Sequence, residues 1–439
     1  MMNHNQLPIA IIGGGPVGLA AAAHLVNQNQ PFVLFESGSR IGHNLLSWAH
    51  VRVFSPWKYN LDKVAVKLLQ QQGWQTPDED GLPTGASLVE DYLEPLSNLP
   101  QLKPYIVLNA KVVQINRKGL DKVKTKGREA QPFVIQVEQG EEQLTYEAKA
   151  VIDASGTWQN PNPLGTGGNF ALGEQAHADH IFYGIPEVLG KNKARFANKN
   201  TLVVGGGHSA INSILDLRKL VSDYPETEIH WVLRKENLET VFGGKEKDSL
   251  AARGALGKRI EKLVRTGKVK VYTPFQITEI HTQANGRLQV VGQQQDALKA
   301  LENIDQIICN TGARPDFSFL REIRYNTDAA LESVPALAPL IDPNVHSCGT
   351  VRPHGEAELR QPEKDFYVVG SKSYGRAPTF LMATGYEQVR SIVAALVGNW
   401  EAARQVQLNL PETGVCSNNL TQKVTEPASE ELLTQNGGC

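Results

Sequence analysis

The chain has 439 residues, a formal net charge of -2 and 41% hydrophobic residues, enough for about two to three domains with a sizeable core. The small, interspersed charge gives no electrostatic case for nucleic acid or an anionic membrane surface, and no run of about 18 apolar residues suggests a membrane span. Four widely spaced cysteines (Cys309, Cys348, Cys416 and Cys439) form neither a C-x-x-C pair nor a zinc spacing, and the polar first residues lack the basic start of a signal peptide. The expectation is a cytoplasmic protein without a disulfide framework or metal site.

The first patterned stretch, Pro8 to Ile12, reads as a buried parallel strand. Gly13, Gly15 and Gly18 then fill a G-x-G-x-x-G spacing that opens an Ala-rich helix over residues 19–26, with Pro16 inside the turn. Gly13 permits the tight turn, Gly15 lets a pyrophosphate approach the backbone, and Gly18 lets helix pack on strand. The helix N-terminus offers free N–H groups to the phosphates. A second strand, Phe32 to Phe35, ends in Glu36, a carboxylate placed to accept from ribose hydroxyls. Together these predict a dinucleotide site.

Residues 39–57 are irregular and rich in aromatic and hydroxyl side chains, a loop that would follow the ribose acid towards the reactive ring. A turn at Pro83 leads into an amphipathic helix ending near Leu99. Strands are then expected at residues 105–108, 111–115 and 133–137, with the basic stretch 117–128 as a solvated hairpin loop. Residues 150–154 form another buried strand ending in the small residues Ser155 and Gly156. The proline-rich 159–163 reads as a stiff connector between domains.

A second dinucleotide unit starts at Asn200. Gly205, Gly207 and Ala210 fit G-x-G-x-x-A around His208 and Ser209, and a helix continues over 211–220. His208 lies in the turn, where packing on the phosphate loop explains it better than catalysis. The following strand, 228–233, ends in Arg234 and Lys235 where an acid would otherwise stand. Cations there pair with a 2′-phosphate, so NADPH is expected over NADH. The strand 305–310 ends in Thr311 and Gly312 and parallels 151–156, as if the chain were crossing back. Cys309 inside it reads as a small core residue. A last strand ends at Gly370, and a helix is predicted from near Pro378 to about Val397. Lys372 and Arg376 lie in the loop between, in reach of the site or its substrate. From Glu401 the sequence is polar and expected to be mobile.

Residues 13–18, Glu36, 152–157, 205–210, 310–315 and 367–370 together resemble the two-dinucleotide-binding-domain flavoproteins, in particular a bacterial branch near the flavin-containing monooxygenases and thioredoxin-reductase-like enzymes. The resemblance implies an α/β fold of two Rossmann-like dinucleotide-binding domains, the NADPH domain inserted in the FAD domain. Its boundaries would be 1–158 and 316–400 for FAD, 159–315 for NADPH and 401–439 for a flexible tail. FAD would lie on Gly13, Gly15, Pro16, Gly18, Glu36, Ser155, Gly156 and Gly370, with the helix start near Thr379 and Phe380 facing the reduced ring. NADPH would lie on Gly205, Gly207, His208, Ser209, Ala210, Arg234 and Lys235, and Thr311 and Gly312 would flank the cofactors.

Three departures from the family pattern bear on activity. Ser371 stands where disulfide reductases have Asp after the last glycine, the C-x-x-C pair is missing, and an oxygenase fingerprint is half matched at residues 173–177. The leading expectation is an NADPH-dependent FAD monooxygenase acting on a small-molecule substrate with molecular oxygen. It is compatible with a homodimer and assigns no side chain a catalytic role. The alternative is a reductase passing electrons to a thiol, metalloid or partner protein, with tail Cys416 or Cys439 as a shuttle. A cofactor-binding sensor without turnover is a third.

Overall fold

Strand β1 (Ile9–Ile12) is buried at all four positions because strands flank it on both sides and helix α1 (Pro16–Asn27) covers one face. The computed structural model describes residues 6–243, 251–345, 351–377 and 380–408. Pro16 occupies the first helical turn of α1, where its missing N–H removes no helical bond. Every residue from Val17 to Leu25 is buried, so small alanines are what lets the helix sit close on the sheet. The chain continues through β2 (Phe32–Phe35) and β3 (Ile106–Val107). It then forms an antiparallel meander, β4 (Lys111–Arg117), β5 (Phe133–Gln139) and β6 (Glu142–Ala148), and returns as β7 (Ala150–Asp153).

The second unit repeats this plan after an edge strand, β8 (Ile181–Tyr183). It runs β9 (Asn200–Val204), α2 (His208–Leu220), β10 (Glu228–Val232), α3 (Ala251–Arg265) and β11 (Lys270–Tyr272). A second meander follows, β12 (Gln276–Thr282), β13 (Leu288–Gln294) and β14 (Ala297–Ile304), and the unit closes with β15 (Gln306–Cys309). Strand β16 (Phe366–Val368) goes back to the first sheet, whose order is β16-β7-β1-β2-β3. The second sheet is β11-β10-β9-β15-β8, and all pairings in both are parallel. This is the doubly wound α/β arrangement, with one unit set into the other.

The chain crosses between the sheets twice, side by side. The amide of Asn162 donates to the Gly312 carbonyl and that of Arg314 to the Asn160 carbonyl, so the outgoing and returning connectors brace each other. Helix α4 (Met382–Leu396) then packs on α1, and α5 (Trp400–Arg404) packs on α4.

Several expectations change. Strand β6 and the whole second meander have no counterpart in the sequence reading. Helix α4 begins at Met382 and not near Pro378, because Leu381 still has extended backbone. The chain stays folded past Glu401, through α5, with Ala403 buried; Cys416 and Cys439 lie outside the described residues, as does Cys348. The basic stretch 117–128 is no free loop at its ends. Arg117 and Arg128 are buried and both donate to Glu363, whose carboxyl they hold below the usual range against the opposing effect of burial. Among the described residues no helix is long and apolar enough to cross a membrane.

Candidate functional site

The ends of β1, β2, β7 and β16 bring the first set of sequence-predicted residues to one edge of the first sheet. Gly13 has φ +101°, and a Cβ there would lie 2.7 Å from the Ala154 carbonyl, so only glycine turns the chain between two strands at that point. A Cβ on Gly18 would collide with the Gly13 carbonyl, which fixes how closely helix follows strand. Gly15 differs: it is the N-cap of α1, and a Cβ there would meet no atom within 4 Å. The opening in front of the helix amides is therefore real space, of the kind a pyrophosphate needs.

Glu36 follows β2 and is 8% exposed. Its Oε2 accepts from the Gly14 amide and its Oε1 from the Gly38 amide, both at 2.7 Å. The Ser37 hydroxyl also donates to Oε1, at 3.4 Å; these bonds aim the carboxylate and leave Oε2 with an acceptor site for a hydroxyl. Ser155 folds back on Asp153, its amide and hydroxyl both reaching Oδ1 at 3.1 and 2.7 Å. Gly156 sits opposite Ser371, and Gly370 lies against Val17 of α1. Thus the described members of the first set converge. Phe380 packs edge-on to Tyr374 with centroids 5.1 Å apart, whereas Thr379 lies outside the described residues.

The second set gathers at the matching edge of the second sheet. Gly205 has φ +128° and a Cβ would overlap the Asn310 carbonyl, while a Cβ on Gly207, the N-cap of α2, would again meet nothing. Ala210 is fully buried, and Ser209 lies in the first turn of α2. His208 is the first residue of α2 and not part of the preceding turn. Its ring lies 5.1 Å from Phe54, contributed by the first unit's loop. That loop also sets Trp48 6.1 Å from Trp158, so residues 48–57 reach across to the second unit as well as towards the first site.

Arg234 and Lys235 are both exposed, and Arg234 donates to the Thr166 carbonyl at 3.1 Å. Matching hydrogen bonds fix the correspondence between units: Gly13 to Phe35 in the first, Gly205 to Val232 in the second. Glu36 therefore corresponds to Leu233, one residue before Arg234. Leu233 is buried and faces Gly206 as Glu36 faces Gly14. No carboxylate stands at that station, and the two cations follow it.

Other expectations are redirected. Lys372 is fully buried against Asp153 at 2.7 Å and cannot extend to a substrate, unlike the exposed Arg376. The Thr311 hydroxyl donates to the Asn162 carbonyl at 2.6 Å, so with Gly312 it fastens the crossing. In the half-matched fingerprint, His177 bonds Gly173 and Thr282 at 2.7 Å, and buried Glu174 accepts from Leu164, Ala171 and Tyr183. His177 thus ties this segment to β12, and Glu174 ties the backbone at Leu164 and Ala171 to Tyr183 of β8. Cys309, the sole cysteine among the described residues, is buried, and burial pushes its thiol up to about 12.

Three residues escaped the sequence reading. Gln388, fully buried in α4, accepts the Gly370 amide at 2.7 Å and donates to His354 Nε2 at 2.9 Å. Burial lowers the pKa of His354, and its Nδ1 meets the Arg352 carbonyl at 3.1 Å. Asp153 was visible as a charge at the end of an apolar strand, a signal that a buried partner must exist.

Comparison with known proteins agrees with this geometry. Residues 10–339 match the family described as pyridine nucleotide-disulphide oxidoreductase. A ferredoxin–NADP reductase from Shouchella clausii is 23% identical over 363 residues, 82% of this chain and 85% of the relative. Among solved structures, the bacillithiol disulfide reductase of Bacillus cereus covers 91% of this chain and 99% of its own, with a TM-score of 0.62 and 16% identity. An FAD-bound cadaverine monooxygenase from Erwinia amylovora covers 97% and 99%, with a TM-score of 0.63 and 13% identity. A doubly wound fold with two glycine-rich helix starts, and a family match over most of the chain, place this protein in the pyridine nucleotide-disulphide oxidoreductase family, as an oxidoreductase with FAD and NADP(H) as cofactors.

Proposed function

We propose that this enzyme draws hydride from NADPH onto FAD and passes the electrons directly to an external acceptor, with no cysteine relay of its own. One observation carries the reading. The sequence holds no C-x-x-C pair, and the described thiol, Cys309, is buried and held protonated. The ferredoxin–NADP reductase relatives make a small electron-carrier protein the acceptor class to test first.

Bound FAD supplies the electron chemistry, and the chain supplies position and field. In this reading the α1 amides beyond Gly15 hold the FAD pyrophosphate, and Glu36 accepts the ribose hydroxyls. Gln388 fixes the Gly370 turn against α1. The α2 amides beyond Gly207 hold the nicotinamide nucleotide's pyrophosphate. Arg234 and Lys235 take the 2′-phosphate, with Leu233 removing the carboxylate that would repel it. Phe54, set against His208 at the start of α2, places an aromatic ring between the two nucleotide sites.

That aromatic contact between the units favours a second reading, oxygen activation towards a small substrate, because an oxygenase must shield its reduced cofactor from solvent. NADPH oxidation decides between the two, measured anaerobically with ferredoxin or a one-electron dye, and aerobically with peroxide quantified and candidate amines added. Rapid anaerobic turnover that survives thiol alkylation supports direct transfer. Turnover that needs oxygen, with NADPH consumed in step with an oxygenated product, establishes the oxygenase. Loss of electron transfer on alkylation overturns direct transfer.

A further inference from the structure

A fully buried ion pair lies between the two turns that flank the first nucleotide site. Lys372 Nζ donates to Asp153 Oδ2 at 2.7 Å and to Ser155 Oγ at 3.0 Å, while Asp153 Oδ1 takes the amide and hydroxyl of Ser155. Neither charged side chain has solvent exposure. The ring centroids of Phe317 and Phe319, from the segment leaving the second crossing, lie 4.9 and 4.5 Å from the ammonium. A pair of this kind is costly to desolvate, and well-packed apolar residues often serve stability equally well. Its geometry suggests a different use. Asp153 and Val368 are register partners in β7 and β16, so the pair bridges the loops that leave adjacent strand ends, Ser155–Gly156 on one side and Gly370–Ser371 on the other.

We propose that Lys372 is a positioning residue for FAD: its ammonium clamps the Ser155 turn against the Gly370 turn so that both face one ligand. The link extends through Phe317 and Phe319 to the crossing, which ties the site to the connector between the units. The proposal rests on the reading that these turns hold FAD. It also replaces the expectation that Lys372 acts on substrate.

Lys372→Met removes the ammonium but strands a buried carboxylate, so the informative variant is Asp153→Asn combined with Lys372→Met, in which the buried charges leave together. The measurements are FAD dissociation from the holoprotein, the visible absorption and circular dichroism of bound flavin, and the thermal midpoint of the apoprotein. The double variant is expected to keep its apoprotein midpoint. Its FAD affinity should weaken roughly ten- to a hundredfold, the scale on which losing a partner that orients ligand-binding groups acts, and the flavin bands should shift. A double variant with the parent affinity and spectrum overturns the proposal and leaves the pair as a core fastening. A parent protein that fails to bind FAD overturns the site assignment itself, which separates the two failures.

Discussion

Gly15→Ala separates folding from cofactor binding. Gly15 is the N-cap of α1 with φ -83° and ψ -174°, a conformation alanine adopts freely, and the added Cβ meets no atom within 4 Å. Alanine restricts the unfolded chain, a gain of about 0.4–1 kcal/mol, and is a poorer N-cap than glycine by about 0.5–1 kcal/mol. The two offset, so the apoprotein should melt within about 0.5 kcal/mol of the parent. In the holoprotein the methyl occupies the opening in front of the helix amides. Overpacking of that kind costs about 1–3 kcal/mol, or roughly 5- to 150-fold in the FAD dissociation constant. Gly18→Ala is the contrast: its Cβ strikes the Gly13 carbonyl, and the apoprotein itself should lose stability. Thermal unfolding of the apoproteins and fluorescence titration with FAD read the two effects separately. Parent-like FAD affinity in Gly15→Ala would show that the pyrophosphate does not lie at this helix start.

Two further outcomes follow from the second site and from Gln388. Replacing Arg234 and Lys235 together with Ala should weaken NADPH binding by about 1.5–3 kcal/mol, roughly ten- to a hundredfold, and spare NADH; equal weakening of both would mean the cations only support the fold. Burial depresses the pKa of His354 in the folded protein. Its contribution to stability is thus complete above the unfolded value of about 6.5 and is lost as pH falls below it towards the folded value. The thermal midpoint should drop on acidification through that window, and His354→Asn should flatten the drop. A midpoint profile unchanged by that substitution refutes a role for His354 protonation.

What was legible in the sequence is what the backbone dictates locally. The spacing of Gly13, Gly15 and Gly18, and of Gly205, Gly207 and Ala210, follows from the sterics of a single strand–turn–helix, so it can be read without knowing any distant contact. The second meander was harder because its strands are half exposed: β12 buries Ile277 and Ile280 among Gln276, Glu279 and Thr282, a weak alternation in a polar segment. Register was out of reach altogether. Only the hydrogen bonds between strands reveal that Leu233, and not Arg234, occupies the station of Glu36. Long-range pairing sets the same limit at Asp153. A charge closing the apolar strand Ala150–Asp153 requires a counter-ion, but the sequence offers dozens of candidates and the topology selects Lys372, 219 residues away. The local motifs thus identify which ligands the chain holds. The contacts that fix how the two turns of the first site meet are made between elements far apart in sequence, so this chain's tuning of a shared cofactor chemistry lies where local patterns carry no signal.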